Sequence, residues 1–506
     1  RGRVTTMAWL KRWVDLLELY KYNQLQLYVE HSFRFPGMSE TYRGADALAP
    51  EDVSELDDYC QRRGIELVPS ISTFGHQYMS MRTIGLRGLG ELPEDADRPF
   101  SFIERQEHHT LNIADPRTFA YSTGLIDAFR PLVRSRRFNI GADETFDLGK
   151  GASGGLADKI GTPRMYADYV ARLCSYVADH GGEPMLWGDI AVEMPQILDM
   201  LPHDVILLNW LYSPDVDATK VRLVAEAGAR QYVCPAVQGW NALLPRADDA
   251  WSNIMRLARH GLEYGAEGWL VTDWGDYGHV NDPRMSVAGM IYGACGGWLR
   301  EAPRRSVVDA GISSLHYGDV SGRVMGLLAE ASRQTAFGWD DLVRYLELDD
   351  GGSLNKDVLA VAIRDSGKAA VTSVEGARRA YMALLSSRLA TAAACNRRLA
   401  EMQARLSSLL PPGGSSTDRS ALTVAMEGQR LLNDVGVHLA AEGSEGCEAL
   451  ARRLEEWWEV YIAQWRQVSR ESELGRISRV VWACADILHR RALSSESAGD
   501  GCGGSR

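Results

Sequence analysis

The stretch APEDVSELDDYCQRRGIELVPSIST, residues 49–73, reads as a helix that ends and a strand that begins. Pro50 stands where a helix starts and Gly64 where one stops, and IELVPSIST then has the composition of a strand. The same order precedes it. Met7, Leu10, Val14 and Leu17 recur at three and four, one face of a helix, and NQLQLYVE alternates with Leu25, Leu27 and Val29 on one side. Further strands are expected in RFNIGADE, EPMLWGDI, VILLNWLY, QYVCPAVQGW and GAEGWLVTDWGD. Helical patterns lie between them, among them TPRMYADYVARLCSYVADHGG, with Thr162 as N-cap, Pro163 at the first helical position and Gly181 at the end.

Strands alternating with helices imply parallel strands joined by helical crossovers. About seven strands are readable, one short of the eight of a (β/α)8 TIM barrel. Because the sequence opens on a helix, the first strand is expected just upstream of Arg1, which puts Arg1 in the first strand-to-helix loop. RGRVTTMAWLKRW has no initiator Met and no signal-peptide core, so the sequence reads as a fragment of a longer chain. After about residue 305 the strand signal fades and Ala, Leu, Arg and Glu dominate. The expected organisation is a catalytic barrel over 1–304, an all-helical C-terminal domain over 305–490 and a disordered tail over 491–506.

The composition permits this and excludes other classes. The 506 residues leave room for a barrel of about 250 plus a second unit. A hydrophobic share of 45% and a charged share of 24% are those of a globular protein, and no apolar run approaches the roughly 18 residues of a membrane span. The net charge of −12, with scattered Lys and Arg, lacks the basic footprint of a nucleic-acid binder. A neutral molecule is the expected partner. The eight cysteines are widely spaced and form no CxxC, which suits buried free thiols in a reducing, cytoplasmic setting.

In a parallel barrel the site is built where strands end. Those ends carry Glu30 and His31, Gly75 and His76, Asp143 and Glu144, Trp187 and Asp189, Trp210 and Tyr212, Trp240, and Trp274 and Asp276. Aromatic residues beside carboxylates suit a sugar, whose ring face stacks on indole while its hydroxyls need polar partners. Adjacent carboxylates raise the proton affinity of at least one, so one could protonate a leaving oxygen while the other stays ionised. Neighbours on a strand face opposite sides, so Asp143 and Glu144 share a pocket only if the backbone leaves pleated geometry there, which Gly141 permits.

GADETFDLGKG, with the Trp-bearing strand ends and the Gly75-His76 pair, resembles the signature of glycoside hydrolase family 20, the β-N-acetylhexosaminidases, and in particular its hexosaminidase D-like branch. The resemblance covers residues 1 to about 300 and, more loosely, the C-terminal helices. It implies a barrel and a retaining, exo-acting, substrate-assisted reaction on β-N-acetylhexosaminides, with the substrate's acetamido group as nucleophile and no cofactor or metal. By the same resemblance Glu144 is the general acid and base, and Asp143 orients the acetamido group. Tyr212 donates to the acetamido oxygen, unless the family's tyrosine aligns with Trp210. Trp187, Trp240 and Trp274 wall the pocket, Asp276 accepts from the outer hydroxyls, and Arg1 binds the non-reducing end. His76 could link Glu30 to Glu144 and hold the acid's proton.

Alternatives remain at this level. A catalytically silent carbohydrate-binding barrel would use the same Trp residues. An O-GlcNAcase-like hydrolase is another, although its pair is usually two aspartates. GASGG, residues 151–155, fits a nucleophile elbow at Ser153, yet no strand leads into it. His108 and His109 are adjacent and lack the spacing of a metal site. Whether the helical domain forms a homodimer is open, and EEWWEVYIAQW is read as packing within the chain.

Overall fold

The computed structural model of the protein describes residues 2–107, 109–348, 373–410 and 416–500. Seven strands, the number readable in the sequence, form one parallel sheet: β1 Gln24–Val29, β2 Glu66–Ile71, β3 Arg137–Asn139, β4 Glu183–Trp187, β5 Ile206–Trp210, β6 Arg230–Cys234 and β7 Gly268–Trp269. They lie in sequence order, each parallel to the next. Helices cross between them, which gives the (β/α) barrel winding. The register brings Val29 beside Ile71, Trp187 beside Leu208 and Trp210 beside Cys234. The carboxyl ends therefore share one rim.

Side chains two apart on a strand point the same way, and the burial follows that rule. Val68, Met185, Trp187, Ile206, Leu208, Tyr232 and Cys234 pack together inside the curve of the sheet, with Tyr28, Trp210, Leu270 and Trp274 against them. The alternate residues Leu67, Ile71, Leu186 and Leu207 join the core that the helices cover. Among the described residues β1 and β7 do not pair with each other. A cavity of about 1270 Å³ opens between these two edges, lined by Gln24, Gln26 and Tyr28 on one side and Gly268, Trp269 and Val271 on the other.

The helix Thr162–Asp179 has Pro163 in its first turn, and Gly161, at φ 79°, takes the cap position expected for Thr162. Only a residue at ease in the left-handed region turns the chain there, so the cap moves one residue back. The last helix, Leu474–Asp500, continues past residue 491, where the sequence suggests a disordered tail. Ala492, Leu493, Glu496 and Ala498 are helix formers, and Gly499 comes only at the end. Residues 501–506 of that tail lie outside the described residues.

The C-terminal helices are joined to the barrel by a continuous buried core that includes Val280, Trp339, Leu342, Tyr461 and Ile477. Trp339 Nε1 donates to the Tyr277 carbonyl at 2.7 Å, and the Tyr461 hydroxyl donates to that of Val280 at 2.7 Å. Trp457, Trp458, Tyr461 and Trp465 are all buried within the chain, as read for EEWWEVYIAQW. Of the seven described cysteines all are free and only Cys295 is partly exposed. No described helix is long and apolar enough to cross a membrane.

Candidate active site

Strand β3 stops at Asn139, and the next residues leave pleated geometry. Gly141, Ala142 and Glu144 have φ of 76°, 70° and 47°. Glycine takes that region freely, but Ala142 and Glu144 visit it at a cost of about 1 kcal/mol or more, so both must be held by their surroundings. Asn139 Oδ1 accepts from Gly141 N at 2.9 Å, the buried Tyr166 hydroxyl donates to the Ala142 carbonyl at 2.9 Å, and Asp189 Oδ2 accepts from Glu144 N at 3.1 Å. A Cβ on Gly141 would meet the Ile71 carbonyl oxygen at 2.9 Å. The break turns two consecutive acids into one pocket, as their sequence requires.

His76, from the loop after β2, is buried with φ 55°. Its Nε2 lies 3.3 Å from Asp143 Oδ2 and 3.1 Å from Glu144 Oε2. The ligand atoms of the three residues lie within 4.8 Å of one another, a spacing that a metal ion could also use. The imidazole Nε2 thus stands at contact distance from both carboxylates. Asp143 is 4% exposed and its Oδ1 is buried without a partner among the described residues, whereas the Glu144 side chain is 23% exposed. One acid is thus an enclosed acceptor waiting for a donor, and its neighbour faces the solvent side.

The strand-end aromatics form a continuous wall. Trp274 makes edge contacts with Tyr28 and Trp187, at centroid distances of 4.8 and 5.5 Å. Its Nε1 donates to the Tyr212 hydroxyl at 2.6 Å. Tyr212 stacks on Trp210 at 5.1 Å and tilts against Trp240 at 5.4 Å. Loss of solvent around the Tyr212 phenol pushes it well above its ordinary value, so it keeps its proton. That hydroxyl accepts from Trp274 and also lies within hydrogen-bond reach of the Thr272 side chain. Trp187 Nε1 is buried with no partner among the described residues.

Glu30 accepts from the Tyr28 hydroxyl at 2.8 Å and lies 3.8 Å from His31 Nδ1. Asp276 sits half-buried in the loop that follows Trp274, its carbonyl accepting from His279 N at 3.1 Å. Arg1 lies outside the described residues, as does His108. Arg3 is enclosed, stacked 3.8 Å over Trp465 and donating to the carbonyls of His279 and Asn281. Ser153 is buried and donates to the carboxylate of Glu91, which also accepts from Ser153 N at 3.0 Å; this pins the glycine-rich loop and disposes of a nucleophile elbow.

Tyr28 also belongs to the wall, although it stands inside β1 and not at the end of the strand. Its signal was the alternation of β1, since it stands opposite Leu25, Leu27 and Val29. Asp189 stood at a strand end without a role, and nothing in the sequence reveals that its carboxylate reaches back to Glu144 N.

Residues 4–238 match the catalytic domain of glycosyl hydrolase family 20. The chain is 24% identical over 246 residues to hexosaminidase D of Bos taurus, covering 45% of this chain and 64% of that one. It is 21% identical over 307 residues to hexosaminidase D of Homo sapiens, covering 56% and 60%. The chain thus spans less than two thirds of the length of these relatives. Similar solved structures include a chitobiase of Flavobacterium johnsoniae (TM-score 0.48, 15% identity, 89% of this chain and 72% of that chain). A β-N-acetylhexosaminidase of Bacteroides fragilis is another (TM-score 0.46, 15% identity, 64% and 67%). β1 to β6, the Asp143-Glu144 pair and Trp187 all lie inside the segment that matches the glycosyl hydrolase family 20 catalytic domain.

Proposed function

We propose that this protein is a retaining, exo-acting β-N-acetylhexosaminidase that removes terminal β-linked GlcNAc or GalNAc. The observation that carries the reading is the unequal pair: Asp143 enclosed, its Oδ1 without a partner among the described residues, and Glu144 partly open beside it. In a substrate-assisted reaction the acetamido carbonyl oxygen attacks the anomeric carbon while an acid protonates the departing oxygen. Glu144 gives that proton, and His76 Nε2 at 3.1 Å steadies its carboxyl. Asp143 Oδ1 accepts the acetamido N–H, and its charge balances the oxazolinium ion as it forms. The Tyr212 hydroxyl donates to the acetamido oxygen, and Trp187 and Trp274 close the pocket around the methyl group. Water then opens the oxazolinium ion with Glu144 as base, and two inversions leave the configuration unchanged. Asp276 accepts from the sugar's outer hydroxyls, and Arg1 binds the non-reducing end.

The free thiols support a reducing, cytoplasmic setting for this activity. The test is release of 4-nitrophenol from the β-GlcNAc, β-GalNAc and β-glucoside derivatives. Turnover of the acetamido sugars alone, blocked by a thiazoline mimic of the cyclised intermediate, is the expected result and ranks the two sugars. A folded protein that turns over none of them overturns the reading in favour of a binding barrel.

A further inference from the structure

Asp189 opens the short helix Asp189–Glu193, two residues after Trp187 ends β4. The residue is half-buried, with Oδ2 accepting from Glu144 N at 3.1 Å. Its Oδ1 is shut away from solvent with no partner among the described residues. A carboxylate in that position is a poorly compensated charge beside a second one, and the neutral acid is the form such surroundings favour. The groups that face it are Asp143 and Glu144 on the loop after β3, His76 touching both acids, and Tyr166 from the helix Thr162–Asp179. None is a permanent cation. Desolvation, and then the charge of Asp143, push the Asp189 carboxyl up to about 8.

We propose that Asp189 is a positioning residue for the hexosaminidase reaction, a neutral carboxylic acid that holds the Glu144 peptide in its left-handed turn and so fixes where the catalytic acid stands, without placing a third negative charge at the site. The inference rests on the function proposed above. Its content is mechanical: the φ of 47° at Glu144 is uncommon for that residue, and Asp189 Oδ2 is the side-chain acceptor that satisfies its N–H. Released, the Glu144 peptide relaxes and the carboxyl moves off the line to the leaving oxygen. The substrate's hold on the pocket through Trp187, Trp274 and Tyr212 is unaffected.

The experiment compares wild type, Asp189→Asn and Asp189→Ala on two β-GlcNAc substrates, one with 4-nitrophenol as leaving group and one with a poor alcohol such as methanol. Asn keeps a neutral carbonyl acceptor in place, and Ala removes it. Asp189→Ala is expected to lose about ten- to hundredfold in kcat on the poor leaving group, the rate equivalent of one abandoned buried donor, and much less on 4-nitrophenol, with KM little changed. Asp189→Asn is expected to stay within about threefold of wild type on both, by the same measure. A merely structural role would lower both substrates equally, through less folded enzyme, and thermal melting separates that case. Wild-type kcat in Asp189→Ala overturns the positioning role. Equal loss in Asn and Ala overturns the neutral acid and makes the charge the working feature. Should wild type turn over neither substrate, the hexosaminidase reading itself fails and this inference falls with it.

Discussion

Gly75→Ala tests how the acid pair is held. Gly75 lies in the loop between β2 and His76, and a Cβ there would stand 2.4 Å from the carbonyl oxygen of Asp143. Its backbone is not in the left-handed region, so alanine is conformationally acceptable and the contact alone is the perturbation. An ordinary approach begins at 3.4 Å, so the two backbones must part by about 1 Å. Neither yields easily: Asp143 is followed by Glu144, tied to Asp189, and His76 is buried against both acids. A displacement of about 1 Å at reacting groups costs on the order of a hundredfold in rate, and overpacking of this kind costs about 1–3 kcal/mol in stability. The assay is kcat and KM on the 4-nitrophenyl β-GlcNAc derivative beside a thermal melt, with Gly85→Ala as control, since a Cβ on that exposed glycine meets nothing within 4 Å. The expected outcome is a kcat loss of about a hundredfold in Gly75→Ala and wild-type behaviour in Gly85→Ala. A Gly75→Ala enzyme with wild-type kcat and melting temperature would refute the claim that the β2 loop sets the position of the pair.

Glu144→Gln removes the proton donor and keeps its shape. Turnover of substrates with poor leaving groups should fall by about 10²- to 10⁴-fold while aryl substrates suffer less, and equal loss for both counts against Glu144 as the acid. Asp143→Asn should reduce kcat without abolishing binding of a thiazoline mimic; an unchanged rate removes its assigned part in stabilising the oxazolinium ion. Glu473 ties the C-terminal helices to the barrel loops: it is 1% exposed, with Arg105 Nη1 at 3.0 Å, His31 Nε2 at 3.6 Å and Arg476 alongside. Burial alone would raise its carboxyl, but the two guanidinium charges overcome that and hold it well below the usual range. A depressed folded value contributes stability above the unfolded pKa of about 4.3 and loses it as pH falls below that value. Glu473→Gln should therefore cost about 3–5 kcal/mol at neutral pH, and the gap in melting temperature from wild type should narrow in acid; a gap independent of pH would mean that packing, not charge, is what the substitution removes.

The barrel was legible because its two periods are strong. Helical spacing from Met7 to Leu17 and the alternation of NQLQLYVE mark helix and strand directly, and the aromatic and carboxylate residues at the strand ends sufficed to place a rim. The helix cap at Gly161 and the length of the last helix were not legible, since both turn on the balance of a few tenths of a kcal/mol between neighbouring residues. The single core shared by barrel and C-terminal helices was hidden for another reason. Contacts such as Arg105 with Glu473, or Trp339 with the Tyr277 carbonyl, join residues whose spacing carries no pattern.

The adjacent acids show the same division between what a motif states and what a fold supplies. The motif dictates two carboxylates after a small-residue turn, and pleated geometry would send them to opposite faces. They converge because left-handed residues at 141, 142 and 144 reverse the second one, and each reversal is secured from a different element: Asn139 of β3 for the first, Tyr166 of a covering helix for the second, Asp189 after β4 for the third. At about 1–3 kcal/mol for each of the two strained non-glycine residues, Ala142 and Glu144, a loop of this kind would not hold its shape alone. Its geometry therefore belongs to residues outside the motif, and a chain that kept Asp143 and Glu144 but lost those three supports would retain the signature of the family without the pocket.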